Sequence, residues 1–522
     1  MSIPDDDAFV SAYLTPAFHE ELASVEGVRS SDVAESLEIS IEDAVFLALA
    51  NNRSLGAQKL QPRIAGTFAE IERARFDAAL FGEISASRER TERFPDELDE
   101  PITDLRESQR MSIGLQQTLP TGTEIDAGLS HRLTESDRVE QSQHQVRAGL
   151  SLTQALMRGR GGDVNLIQLQ RARLNERASQ YEFRAFAEAL TAEVENAYWD
   201  HVLAIRELEI FEASTQLARR QLEAMRERID LGQTAGVDLN AAEAEVALRQ
   251  QALIDARSAA DTLRLRLIRL LNPSGGATGI WDLEIETLDE PSVPEGSLDP
   301  VGYHARAALR WRPEISEARL RLARRDLEVV HTRNGALPKL DFFLTLGKTG
   351  FSDSFGNSVR QLDGDAYDAS VGLRGEWPLG NRENRARLLQ SELNLEEAEE
   401  SIFNLVQLVE LDVRSAYNEV LRAREQIQAS AVTRQFQERL LQTETEKFST
   451  GLATALDVAQ VQRDLLNSQI AEVKAAVDYR KALVDLYRLE GTLLRRRGIA
   501  EPFQDPLSEA HAAPLSEPLD AP

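Results

Sequence analysis

Residues 367 to 390 read YDASVGLRGEWPLGNRENRARLLQ, and the hydrophobic rhythm changes inside this stretch. Tyr367, Ala369, Val371, Leu373, Trp377 and Leu379 lie at odd-numbered positions, with Asp368, Ser370, Arg374 and Glu376 between them. That alternation puts apolar side chains on one face of a strand and polar ones on the other. After Pro378, Gly380 and Asn381 the apolar residues take helical steps. Leu388, Leu395, Ile402, Val409, Ala416 and Ala423 recur at every seventh position, a coiled-coil-like seam. A two-faced strand is therefore joined almost directly to a helix from about 382 to 448, roughly 100 Å long at about 1.5 Å per residue. Such a helix needs neighbours along its length.

The same pattern occurs earlier in the chain. Displaced by 219 positions, Tyr198 falls on Tyr417, Gly232 on Gly451, Asp238 on Asp457 and Leu270 on Leu489, with no gap across the span. Earlier segments match more loosely, LTQALMRGRGGDVNLIQLQ standing opposite LRGEWPLGNRENRARLLQS and NNRSLGAQKL opposite WRPEISEARL. The chain reads as two tandem copies, 39–271 and 301–495, joined by a Gly/Pro/Glu-rich connector over 272–300. A polar segment over 1–38 and an acidic, Pro-rich tail over 496–522 flank them, both expected to be poorly ordered.

Each copy has the order helix, strands, two long helices. In the second, the spacing predicts helices over 313–334, 382–448 and 455–494, with strands KLDFFLTLGK (339–348) and AYDASVGLRGEW (366–377). In the first, ISIEDAVFLALANN (39–52) opens a helix with Ser40 as N-cap and Asp43 at the capping-box position, and long helices cover 164–231 and 238–271. The first copy has extra strand candidates at 83–90, 109–119, 123–132 and 144–154, the middle two flanking the turn Pro120-Thr121-Gly122. The surplus strands either enlarge one sheet or form a separate hairpin. Two-faced strands suit an ordinary sheet covered on one side or a membrane barrel with a lipid-facing exterior.

Composition removes several function classes. With 59 basic against 87 acidic residues and a net charge of -28, the chain is a poor binder of nucleic acid phosphates. It has no cysteine, hence no disulfide, thiolate metal site or thiol nucleophile. No run of about 18 apolar residues exists, so no transmembrane helix is expected. The seven histidines are scattered without metal-ligand spacing, LGKTGF (346–351) lacks the first glycine of a phosphate loop, and no nucleophile elbow is present. No catalytic residue, metal or cofactor is expected. GRGG (159–162) reads as a flexible strand-to-helix joint rather than an anion nest.

The turns between the long helices are alike. Gly232 and Gly451 each precede an aspartate by six residues, in GQTAGVD and GLATALD, so glycine can end one helix at positive φ while Asp238 or Asp457 caps the next.

Taken together, the duplicated unit, ISIEDAVFLALANN, ALPKL (336–340) before a strand, LTQALMRG before a long helix and the two G-x5-D turns resemble the TolC-like outer-membrane efflux proteins over about residues 39–495. The resemblance implies a mainly α protein with β-strands, a tandem-repeat protomer of a homotrimeric barrel-and-tunnel channel. That channel sits in the outer membrane of a Gram-negative-type bacterium, contacts outer-membrane lipid and extends through the periplasm. It further implies a passive exit duct, opened by a periplasmic adaptor and an inner-membrane pump or ABC transporter. By position, Gly232, Gly236, Gly451 and Leu452 belong to adaptor-facing tips, and Asp457, Asp238 and Gln460 to the channel entrance. Trp377, Pro378 and Gly380 take the barrel-to-tunnel joint, with the bend at Pro378 and Gly380. The chain departs from the family's gate pattern at Gln460, where a second acid is usual, and at Ala453, where a base is usual. An exported protein needs a signal, and MSIPDDDAFV does not have that plan, so a leader is expected upstream of Met1. The competing reading is a periplasmic coiled-coil scaffold, which explains the helices but not strands placed at the same point of both copies.

Overall fold

A computed structural model of the chain describes residues 36–93, 102–136, 139–230, 237–273, 280–292 and 298–499. Its main helices are α1 (Ile41–Asn51), α2 (Leu60–Ala74), α3 (Ile167–Asp230), α4 (Val237–Leu271), α5 (Val301–Trp311), α6 (Pro313–Gly335), α7 (Arg382–Ser449) and α8 (Ala455–Glu490). Its strands are β1 (Ser36–Ile39), β2 (Ala79–Arg93), β3 (Ile102–Thr118), β4 (Thr123–Ser136), β5 (Val139–Ala155), β6 (Glu284–Thr287), β7 (Lys339–Ser352) and β8 (Tyr367–Glu376). The described residues form two compact units, one within 1–61, 180–316 and 403–522, the other within 62–179 and 317–402.

The first unit holds two helical cores at equivalent places in the two copies. Leu190, Val194 and Leu267 are buried in one, and Val409, Val413 and Leu486, each 219 positions later, in the other. A short helix closes each core through small side chains, α1 with Ala44 and Ala48, α5 with Ala305 and Ala308. Both short helices stop in the same conformation, Asn52 at φ -64°, ψ 119° and Arg312 at φ -64°, ψ 122°. At Arg312 the cause is Pro313, whose ring pushes the preceding residue out of the helical region. At Asn52 the side chain does the work, accepting the Leu55 N–H at 3.1 Å and donating to Leu270 O at 3.0 Å. Ser40 and Asp43 form the expected capping box on α1, and these hydrogen bonds hold the Asp43 carboxyl below its usual range.

One sheet in this unit has no counterpart in the sequence pattern. β1 and β6 pair in parallel, Ser36 with Glu284 through Ile39 with Thr287, inside the segments assigned to the polar N-terminus and the connector. Four residues are too few for an alternation to register. Tyr198, fully buried, ties them to α3. Its hydroxyl lies 3.1 Å from Ile39 O and 2.9 Å from the Asp289 carboxylate, and accepts the Asp289 N–H at 3.2 Å. Burial pushes the phenol pKa up, so it stays a neutral donor.

α8 ends at Glu490, short of the expected 494, because Gly491 takes φ 68° and turns the chain. Its N–H bonds Arg488 O at 2.9 Å while the Thr492 N–H reaches Tyr487 O at 3.0 Å, a Schellman motif. A Cβ at Gly491 would lie 2.8 Å from Trp311 O. The chain then runs back into the core, where Arg497 forks onto the fully buried Glu195 at 2.6 and 2.5 Å. Burial raises the Glu195 carboxyl pKa, and the Arg497 guanidinium opposes that shift. Glu490, also fully buried, contacts His304 and accepts from Thr492 Oγ1 at 2.7 Å.

The second unit is built on one antiparallel sheet of six strands in the order β2-β3-β4-β5-β7-β8. The surplus strands of the first copy are thus part of the same sheet as those of the second. They are also longer than the apolar alternation suggested, because Arg88, Arg90 and Glu92 on β2 and Glu107 on β3 continue the ladder where the apolar face has ended. The register sorts side chains onto two faces. One carries Leu80, Ile84, Ile113, Leu115, Leu129, Leu150, Leu346 and Val371; the other carries Ser112, Asp126, Ser130, Arg147, Ser151, Thr345 and Ser370.

Four glycines, Gly114, Gly128, Gly149 and Gly347, pair with one another in a row across β3, β4, β5 and β7 on the polar face. A Cβ at Gly114 would meet the Phe81 ring at 2.7 Å, and one at Gly347 would meet Asp368 Oδ1 at 2.6 Å. The row leaves a strip without side chains across these strands, and its ends are filled by Phe81 and by the Arg147–Asp368 ion pair at 2.6 Å.

Replacing Tyr198 by Phe leaves the Asp289 N–H and the Ile39 carbonyl without their buried partner. The expected cost is about 1–3 kcal/mol of stability, seen as a lower thermal midpoint by circular dichroism.

Candidate functional site

The turn between α7 and α8 is built by two caps. Gly451, at φ 78°, donates to Phe448 O at 3.1 Å, and Leu452 N–H reaches Lys447 O at 2.8 Å, closing α7 in a Schellman motif. Thr454, not Asp457, is the N-cap of α8. Asp457 stands at the third helical position and closes a capping box, its carboxylate accepting from Thr454 N–H at 2.9 Å and Thr454 Oγ1 at 2.7 Å. These bonds and the nearby Lys447 hold the Asp457 carboxyl below its usual range. Asp457 and Gln460 are both exposed, one helical turn apart, around the buried Val458. Leu452 is 81% exposed at the apex, an apolar side chain with nothing over it.

The matching turn of the first copy lies partly outside the described residues, which exclude Gly232 and Gly236; Asp238 is in the first turn of α4. Beside the two hairpins a groove of about 390 Å³ is lined by alanines, by Met225, Leu248, Phe448 and Leu456, and by Glu245 and Arg463.

In the second unit the strand-to-helix joints are clasps. Between β8 and α7 the left-handed residue is Asn381, at φ 41°, whereas Gly380 has no positive φ and open space around it. The bend assigned to Pro378 and Gly380 is thus one residue further on. Asn381 takes it because its side chain donates to Ala336 O at 2.8 Å, and its own Oδ1 accepts from Asn384 at 2.7 Å. Trp377 is 72% and Leu379 99% exposed.

In the first copy, GRGG is pinned. Gly159 and Gly161 take φ 84° and 91°, and Asn165 Nδ2 lies 3.1 Å from Pro120 O, 2.8 Å from Gly159 O and 3.0 Å from Gly161 O. Gly161 N–H also bonds Thr121 O at 3.0 Å. Gly122 makes the contact possible, since a Cβ there would lie 2.2 Å from Gly159 O. Asn165 and Asn384 stand 219 positions apart, so both copies place an asparagine in the same joint. The uniform shift of 219 positions held that signal, but a lone asparagine beside glycines reads as ordinary turn chemistry.

Residues 45–273 and 305–492 match the family model described as outer membrane efflux protein, one segment in each copy. The chain belongs to the outer membrane efflux protein family. Members of this TolC-like family are non-enzymatic transport channels of the outer membrane. Among curated relatives, the alkaline protease secretion protein AprF of Pseudomonas aeruginosa is 26% identical over 60% of this chain. That match spans 64% of AprF's length, just under two thirds. The outer membrane protein TolC of Escherichia coli is 23% identical over 66% of this chain and 69% of its own. Among solved structures, the outer-membrane channel OprN shares the fold with a TM-score of 0.65 at 18% identity, over 86% of this chain and 89% of that one.

Two measurements test these sites. Asn381→Ala is expected to destabilise the chain by about 1–2 kcal/mol, since alanine tolerates the left-handed conformation poorly and loses the bond to Ala336. Gly380→Ala should change little, and thermal unfolding separates the two. At Asp457, a carboxyl with a depressed pKa stabilises α8 above its unfolded value near 3.8 and loses that contribution as pH falls through the lower folded value. Asp457→Ala should therefore speed hydrogen exchange in the first turn of α8 at pH 7, and the difference from the parent chain should vanish in acid.

Proposed function

We propose that this chain is one protomer of a homotrimeric duct that carries cargo passively out of the periplasm through the outer membrane. The observation that carries the reading is the sheet. Its six strands share one continuous apolar face, exposed in the single chain, with Ile84 81% and Val371 67% accessible. No described helix is long and apolar enough to cross a membrane, so lipid contact falls to the sheet.

The helices support the same reading. Along α7, Phe403, Leu411, Leu421, Val432, Phe436 and Leu440 are exposed and fall within an arc of about 100° on one side of the helix, a second apolar stripe besides the seam buried at Val409 and Ala423. Helices of neighbouring copies would cover it. Within the duct, the tips with Gly451, Leu452, Gly232 and Gly236 dock a periplasmic adaptor, and Asp457, Asp238 and Gln460 line the entrance. Trp377 sits at the membrane–water boundary beside the joint, in the position of an aromatic girdle. An inner-membrane pump or ABC transporter supplies the energy. AprF is by name a protease secretion protein and the family model is by name an efflux model, so a polypeptide and small solutes both stand as cargo classes.

The purified chain should require detergent, have the mass of a trimer by light scattering and conduct ions in a planar bilayer. A freely soluble, electrically silent protein would favour the coiled-coil scaffold instead.

A further inference from the structure

We infer that the sheet closes with those of two further copies into an eighteen-stranded barrel. In it β8 of each copy pairs with β2 of the next, so that the surplus hairpin of the first repeat widens the wall. The inference deepens the trimeric duct proposed above and rests on it.

Four observations carry it. First, the apolar band crosses every strand without a gap, from Leu80 and Ile84 on β2 through Ile113, Leu129, Leu150 and Leu346 to Val371 on β8. A band confined to four strands would mark the other two as lying outside the membrane; none is exempt here. On β4 it holds Ile125, Ala127 and Leu129, with His131 between these and Leu133, and the nine residues from Ile125 to Leu133 are the length of a short tilted membrane strand.

Second, β2 and β8 are the sheet's edges, and their outer N–H and C=O groups would face hydrocarbon with no water to satisfy them. Third, the strands alternate in direction and are even in number, so β8 and β2 run oppositely, and joining one to the other in the next copy continues the antiparallel order. Six strands from each of three copies make eighteen.

Fourth, the extra hairpin is fastened as wall. β3 pairs with β2 along the whole of Ala79–Arg93, and the β3–β4 turn is held to the strand-to-helix joint by Asn165, by the Gly161–Thr121 bond and by the close approach at Gly122. A loose appendage has no reason for such a clasp.

The number of strands sets the bore. With strands about 4.8 Å apart and tilted by about 40°, eighteen give a backbone diameter of ~36 Å, and about 26 Å remains inside a side-chain layer roughly 5 Å deep. Twelve would leave ~14 Å on the same basis. The wider bore passes an α-helix with its side chains, about 10–12 Å across, with room to spare. The barrel is then not the step that selects cargo.

The chain has no cysteine, so introduced pairs can be read without background. In the full chain, Glu83→Cys, Ser85→Cys and Ser87→Cys on β2 are each combined with Ser370→Cys or Arg374→Cys on β8, all on the polar face, and oxidised in isolated outer membranes. At least one combination should yield covalently linked dimers and trimers, and electron cryomicroscopy of the unmodified protein in detergent should show eighteen strands. Ser130→Cys on β4 combined with Ser370→Cys serves as the alternative closure, with β2 and β3 outside the wall. Linked copies from that pair, or a trimer with twelve strands, would overturn the eighteen-stranded barrel while leaving the duct intact. A monomer stable in plain buffer would instead end the duct reading and this inference with it.

Discussion

Backbone N–H and C=O groups removed from water must find partners, and the two edge strands of the large sheet do not find theirs within the chain. Helix ends are closed by side chains and glycines: Ser40 and Asp43 on α1, Gly451 at the end of α7, Thr454 and Asp457 on α8, Gly491 beyond it. The four inner strands of the large sheet are paired on both sides. β2 and β8 are not, and they bound a sheet with one apolar face. Any environment that accepts that face has to supply partners for those edges, so the single chain is an incomplete object.

The duplication constrains the two units differently. The helical cores keep apolar residues at equivalent places, as at Leu190 and Val409, down to the short helix that ends at ψ near 120° before each core is left. The sheet does not, taking four strands from the first copy and two from the second. Packed helices leave little freedom, since a shifted apolar residue opens a cavity or overfills one. A sheet grows at a turn with no change to what already packs. The polar turn Pro120-Thr121-Gly122 joins two of the first copy's strands, and Asn165 secures it.

Much of this is legible in the sequence because long, regular elements write long patterns. The heptad from Leu388 to Ala423, the alternation from Tyr367 to Leu373 and the shift of 219 positions are enough to place helices, strands and copies. What is not legible is short or singular. β1 and β6 hold together through Tyr198, a contact between residues 91 and 159 positions apart that no local pattern encodes. Asn381 is hard to separate from its neighbour Gly380, since glycine is the usual occupant of a left-handed position and the deciding contact, with Ala336, is distant in sequence. At the helical tip the spacing finds the cap but assigns it to the wrong residue. Aspartate is a good N-cap and an equally good third residue, and only the bonds to Thr454 distinguish the two.

The surplus hairpin of the first copy also bears on how such a chain can vary. A single added strand would reverse the polarity of one edge and leave β2 running alongside its prospective neighbour instead of against it. Only a whole hairpin preserves parity. Growth is therefore quantised in pairs, and a ring of identical subunits changes girth in steps multiplied by its symmetry, with no intermediate sizes to pass through.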